Sequence, residues 1–95
     1  RVSPDGDGYQ DVVSVDVFPG GEDNVVTVKI YNSSGQLVRT LCDRFYAGQG
    51  ASFIWDGTND GMERVKRGLY LITISVYTPA GKARLWKKVC AVLYD

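Results

Sequence analysis

Apolar residues recur at every second position through most of this chain. In VVSVDVF, Val13, Val15 and Val17 alternate with Ser14 and Asp16; in VVTVKIYN, Val26, Val28 and Ile30 alternate with Thr27, Lys29 and Tyr31. The longest case is LYLITISVYT, where Tyr70, Ile72, Ile74 and Val76 take one parity and Leu71, Thr73, Ser75 and Tyr77 the other. A period of two marks a strand with one face on a core and one in water. No segment carries a sustained helical period. The nearest, DGMERVKRG, is closed in by glycines on both sides and is too short to hold as an isolated helix.

Turn chemistry separates the strands. PGGEDN stops the first, NSSG reads as a hairpin connection, and PAGK reads as a reverse turn. QLVRTLC is predicted as a third strand whose mixed faces suit a bulge or an edge. DRFYAGQG is predicted as a loop carrying two aromatics, ASFIW as a short strand, and DGTNDGMERVKRG as a long loop. The last strand, ARLWKKVCAVLY, leaves its inward face open: Leu85, Val89, Ala91 and Leu93 compete with Trp86, Cys90, Val92 and Tyr94. Lys87 and Lys88 in its middle oppose edge-to-edge pairing. The whole predicts an all-β sandwich of about seven antiparallel strands. Val15, Val28, Ile30, Trp55, Tyr70, Ile72 and Ile74 are its expected core.

The chain has 95 residues, the size of one domain, and 44% of them are hydrophobic, enough to build a core. Eleven basic and eleven acidic residues balance, which disfavours nucleic acid as a partner. No apolar run approaches the roughly 20 residues of a membrane-spanning helix. Histidine is absent, which removes the commonest general base and the commonest transition-metal ligand. No nucleophile has an evident base, and no glycine-rich phosphate loop precedes a helix, so catalysis is not expected. The separation of Cys42 and Cys90 excludes a C-x-x-C pair; the expectation is two free thiols, with one disulfide as the alternative.

Two stretches concentrate oxygen ligands. The first is SPDGDGYQD, Ser3 to Asp11. Aligned on an EF-type loop with Gly8 at the sixth position, Asp5, Asp7, the Tyr9 carbonyl and Asp11 occupy ligand positions. Ser3 and Ser14 stand where the loop's first Asp and bidentate Glu belong, so the pattern is incomplete. The stretch therefore reads either as a calcium site or as a polar turn launching the first strand. The second stretch holds Asp56, Asp60 and Glu63, which read as a carboxylate site or as turn-forming residues.

SPDGDGYQDV at the front and FIWDGTNDG followed by RGLYLITI in the second half stand in a familiar order. The combination resembles the immunoglobulin-like C-terminal domains of secreted and surface proteins in gliding and related bacteria. It is similar in turn to the immunoglobulin-like domain of the flagellar hook-capping protein, with its Trp-Asp-Gly signature. That signature matches Trp55, Asp56 and Gly57, and the later glycine and tyrosine match Gly68 and Tyr70; the asparagine of the opening motif is Asp5 here. The resemblance implies that residues 1–95 form a single immunoglobulin-like domain, the C-terminal module of a larger exported protein. It implies a non-catalytic accessory role in sorting or surface attachment. The expected partners are other domains of the parent and the secretion or anchoring machinery, with no nucleic acid and no membrane span. The expected location is secreted or cell-surface. The alternative is a ligand-binding adhesion module for glycan or protein, its N-terminal loop stabilised by calcium as cofactor. Tyr31, Tyr46, Tyr77 and Trp86 would be its platform if they cluster on one sheet face.

Overall fold

The structure, a computed structural model, describes residues 13–92. Six strands are found among them: β1 (Val13–Val17), β2 (Asn24–Asn32), β3 (Leu37–Gly48), β4 (Ala51–Trp55), β5 (Gly68–Tyr77) and β6 (Ala83–Val92). They form two antiparallel sheets, a pair β1-β4 and a four-stranded sheet in the order β3-β2-β5-β6. The all-β sandwich expected from the alternation, immunoglobulin-like as the resemblance implies, is the observed architecture.

The core lies between the sheets and follows the parities read from the sequence. Val13, Val15 and Val17 of β1 and Trp55 of β4 face Val26, Val28 and Ile30 of β2 and Tyr70, Ile72 and Val76 of β5. Ile74 shares that parity but is only half-buried, because it lines an open groove with Val17, Phe18 and Trp86. The ambiguous strand is resolved by its register. Tyr70 pairs with Cys90, so Cys90 and Val92 turn inward and are buried. Trp86 and Arg84 share their parity but stay open to solvent, Trp86 across an open groove from Val17 and Phe18 at the end of β1.

The segment DRFYAGQG departs from the expectation of a loop. β3 runs through it to Gly48 as a single strand of twelve residues. What interrupts the pattern is a set of register shifts against β2, with Arg44 at φ 54° in the bulge between the Val26 and Val28 pairings. An extra residue in a bulge resets the parity, so a continuous strand reads as a strand followed by a loop.

Two local devices join the layers. Asn24, buried and polar, donates to the Gly20 carbonyl at 3.2 Å and the Gly48 carbonyl at 2.8 Å, tying the β1–β2 turn to the end of β3. Gly50, between β3 and β4, allows a close backbone approach: a Cβ there would sit 2.7 Å from the Val17 carbonyl oxygen. No helix among the described residues is long and apolar enough to cross a membrane.

Candidate functional site

The segment after β4 is the most densely bonded loop among the described residues. Trp55 ends β4 fully buried, its ring edge-on to Tyr70 with centroids 5.5 Å apart. Its indole Nε1–H donates to the Thr58 carbonyl at 2.8 Å, so the polar atom of a buried tryptophan is satisfied by the turn that follows it. Asp56 accepts from the Thr58 amide at 3.1 Å and the Thr58 hydroxyl at 2.5 Å. Gly57 is buried between them at φ 80°, a left-handed conformation that a side chain would strain. Trp-Asp-Gly is thus one unit: anchor, turn acceptor and turn hinge.

Arg39 of β3 holds the loop from the other side. Its Nη1 donates to the Thr58 hydroxyl at 2.5 Å and to the Asn59 carbonyl at 3.3 Å, and its guanidinium lies 3.8 Å from both Asp56 and Asp60. Asp60 completes the docking. Its amide donates to the Val38 carbonyl and its carboxylate accepts the Thr40 amide, each at 3.0 Å. The loop therefore satisfies backbone groups along the outer edge of β3. Nothing in QLVRTLC marked Arg39 for this role. The available signal was charge: an arginine on a mixed-face strand, with Asp56 and Asp60 in the loop that packs on it.

The carboxylate site suggested by Asp56, Asp60 and Glu63 is not assembled. Asp56 and Asp60 are turned to β3 and the turn, and Glu63 closes its own turn through its amide to Asn59 Oδ1 at 3.0 Å. Among the described residues no group of three or more histidine, cysteine or acidic side chains could hold a metal ion. Asp56 keeps a carboxyl lowered from its ordinary value, chiefly by the Thr58 hydroxyl bond, against a smaller desolvation that raises it. The opening-loop candidates Asp5, Asp7, Tyr9 and Asp11 lie outside the described residues.

The aromatic candidates divide between faces. Val25 pairs with Tyr46 on one side and Tyr77 on the other, and Tyr31 pairs with Leu71, so these tyrosines share the outer face of the four-stranded sheet. Tyr46 is tied down by its hydroxyl, which donates to Asp23 at 2.8 Å. Tyr31 sits six residues from Val25 along β2, about 20 Å at strand rise. Trp86 turns to the opposite face. A pair of tyrosines marks one end of the sheet, beside an open groove of about 690 Å³ that Thr27, Arg44, Ser75 and Leu85 help line.

Cys42 is half-buried on β3 and Cys90 is buried on β6, and both are free. Two strands separate them, about 14 Å at ordinary strand spacing, and Cys90 lies a further four residues along β6 from the row of Cys42, so the span is well over twice what a disulfide tolerates. Burial pushes both thiols up from their ordinary value.

The family model of the FlgD Ig-like domain matches residues 4–80, from the opening motif through the Trp-Asp-Gly loop and all of β5. The chain belongs to the FlgD Ig-like domain family. A solved relative is FlgD from Xanthomonas campestris, whose crystal structure is described as giving insights into the hook capping essential for flagellar assembly. It is 24% identical, with a TM-score of 0.51, and the match covers 86% of this chain and 68% of that one. That likeness carries the fold. No curated protein matches the chain. In this member of the FlgD Ig-like family, the signature loop is a structural clamp between the sheets.

Proposed function

We propose that this chain is a non-catalytic accessory domain of an exported bacterial protein, the C-terminal module of a larger parent that it helps to sort or attach at the cell surface. The observation that carries this reading is the state of the Trp55–Asp60 loop. The polar groups that distinguish the family are engaged with β3 and with one another, which makes them a scaffold and leaves the surfaces of the sheets for partners. Membership in the FlgD Ig-like family supports it. Hook capping and flagellar assembly are the described context of the Xanthomonas campestris protein; work within an exported assembly is the part of that context proposed for this chain. The partners are then neighbouring domains of the parent and the machinery that exports or anchors it.

Deleting the domain from the parent tests the reading. The parent's intrinsic activity should survive while its site of accumulation changes. Loss of glycan or matrix binding with export unchanged would favour the second reading, a ligand-binding module, to which Tyr46 and Tyr77 on either side of Val25 lend support. Calcium at Asp5, Asp7, the Tyr9 carbonyl and Asp11 belongs to that second reading. Its support is the hard, all-oxygen ligand set, and calorimetric titration of metal-free protein with calcium measures it directly.

A further inference from the structure

Among the described residues the sandwich has sheet edges of very different quality. β1 and β4 are five residues each. β3 is broken by register shifts and docked by the Asp60 loop, two devices that blunt an edge. β6 has neither. It pairs with β5 alone among the described residues, through ten consecutive partners from Ala83 to Val92 without a shift, and it contains no proline. A long, straight, unbulged edge is a template for strand addition.

Its side chains say what kind of strand fits. β2, β5 and β6 contain Lys29, Arg84, Lys87 and Lys88 and not one aspartate or glutamate. Arg84, Lys87 and Lys88 form no ion pair among the described residues; Arg84 lies over the Trp86 ring, 5.9 Å from its centroid. Leu85, Trp86 and Val89, which flank the lysines, are all exposed, two of them by more than half. The edge therefore presents apolar, apolar, cation, cation, apolar. A second copy of β6 is a poor occupant, because a strand without acids cannot neutralise its own cations in any register. A glycan would leave the backbone edge unused.

We propose that β6 is the docking edge for an extended acidic segment of a protein partner, which adds to the four-stranded sheet and sets two adjacent carboxylates against Lys87 and Lys88. In a strand pair, opposite residues share a face. One carboxylate then meets Lys87 on the outer face and the other meets Lys88 on the opposite face, where Lys88 is itself exposed. Apolar neighbours in the segment cover Leu85, Trp86 and Val89. This inference rests on the reading of the chain as an accessory module, and its test is a binding measurement on the chain itself, separate from deletion in the parent.

The probe is a capped synthetic peptide with the pattern apolar, apolar, Glu, Glu, apolar, apolar, titrated into the 95-residue chain. Amide hydrogen exchange should show new protection on β6. The double variant Lys87→Glu with Lys88→Glu should weaken binding about tenfold or more and regain it with a peptide carrying Lys-Lys in place of Glu-Glu. Both lysines are exposed, so the variant should melt as the parent does. Binding indifferent to the charge swap, protection gained elsewhere, or no binding at millimolar peptide would overturn the proposal. So would β6 amides that are protected throughout the free chain, or self-association through β6 in sedimentation.

Discussion

Trp55→Ala is the sharpest perturbation this fold offers. The side chain is fully buried, stacks edge-on against Tyr70, and satisfies the Thr58 carbonyl through its indole. Removing a large aromatic from a core costs about 3–5 kcal/mol through lost transfer energy and the cavity left behind. Within that range the Tyr70 contact contributes about 0.5–1.5 kcal/mol and the lost indole bond about 1 kcal/mol. A loss near 4 kcal/mol is set against a total of about 5–14 kcal/mol for a domain of this length. Trp55→Phe keeps most of the apolar volume and the ring contact while orphaning the Thr58 carbonyl, so it should cost about 2 kcal/mol. Urea denaturation followed by far-ultraviolet circular dichroism separates the two. At a slope of about 1.5 kcal/mol per molar urea, the alanine variant should melt about 2.7 M earlier than the parent and the phenylalanine variant about half that. An alanine variant within 1 M of the parent, or two variants that are equal, would refute the assignment of Trp55 as the bolt between the sheets.

Gly57→Ala should cost about 1–2 kcal/mol in the same assay, because a buried φ of 80° admits a Cβ only with strain. Arg39→Ala should cost about 1–2 kcal/mol, mainly from its bonds to Thr58 and Asn59, since its ion pairs involve carboxylates more than half exposed. Asp56 has a folded-state carboxyl below its unfolded value of about 3.9, so its stabilisation is full above that pH and is lost as pH falls through the lower folded value. Thermal melts of the parent and Asp56→Asn should therefore differ most above pH 5 and converge towards pH 2, by no more than about 0.5 kcal/mol given the exposure of the carboxylate. A thiol reagent under denaturing, non-reducing conditions should titrate two groups, and the native fold should slow the reaction at Cys90 more than at Cys42.

The strands were legible where one parity carried the apolar residues. Val13 to Val17, Val26 to Ile30 and Tyr70 to Val76 fell on the faces that alternation assigned them. The reading failed where geometry overrides parity. Arg44 in its bulge turned one strand into an apparent strand and loop; the mixed faces of QLVRTLC suited a bulge or an edge, and β3 has both, but arginine has no special tolerance for φ 54° that would mark Arg44 as the site. Ile74 has the right parity and is half-buried because it borders an open groove with Val17, Phe18 and Trp86, which no local pattern encodes. For β6 both parities were plausible, and only pairing with β5 chose between them. The turn role of Asp56 and Gly57 could be read from residue types, whereas the Arg39 clamp depends on a contact 17 to 21 positions away.

Charge shows best how a whole-chain quantity can mislead about a surface. Eleven cations balance eleven anions, and that balance argues against a strongly electrostatic partner. Net charge governs the distant field, but at physiological salt the field fades within about 8 Å, so a partner strand about 5 Å away senses only the local charges. On that scale the chain is not neutral. Asp56 and Asp60 are spent on β3, Asp23 is engaged by Tyr46, and three adjoining strands carry cations alone. The same lysines that keep β6 from pairing with copies of itself specify the sign of a strand that can. Binding at this edge should therefore weaken steeply between low and physiological salt while the stability of the fold, held by an apolar core, barely changes. A partner whose affinity is flat across that range would be held by some other surface.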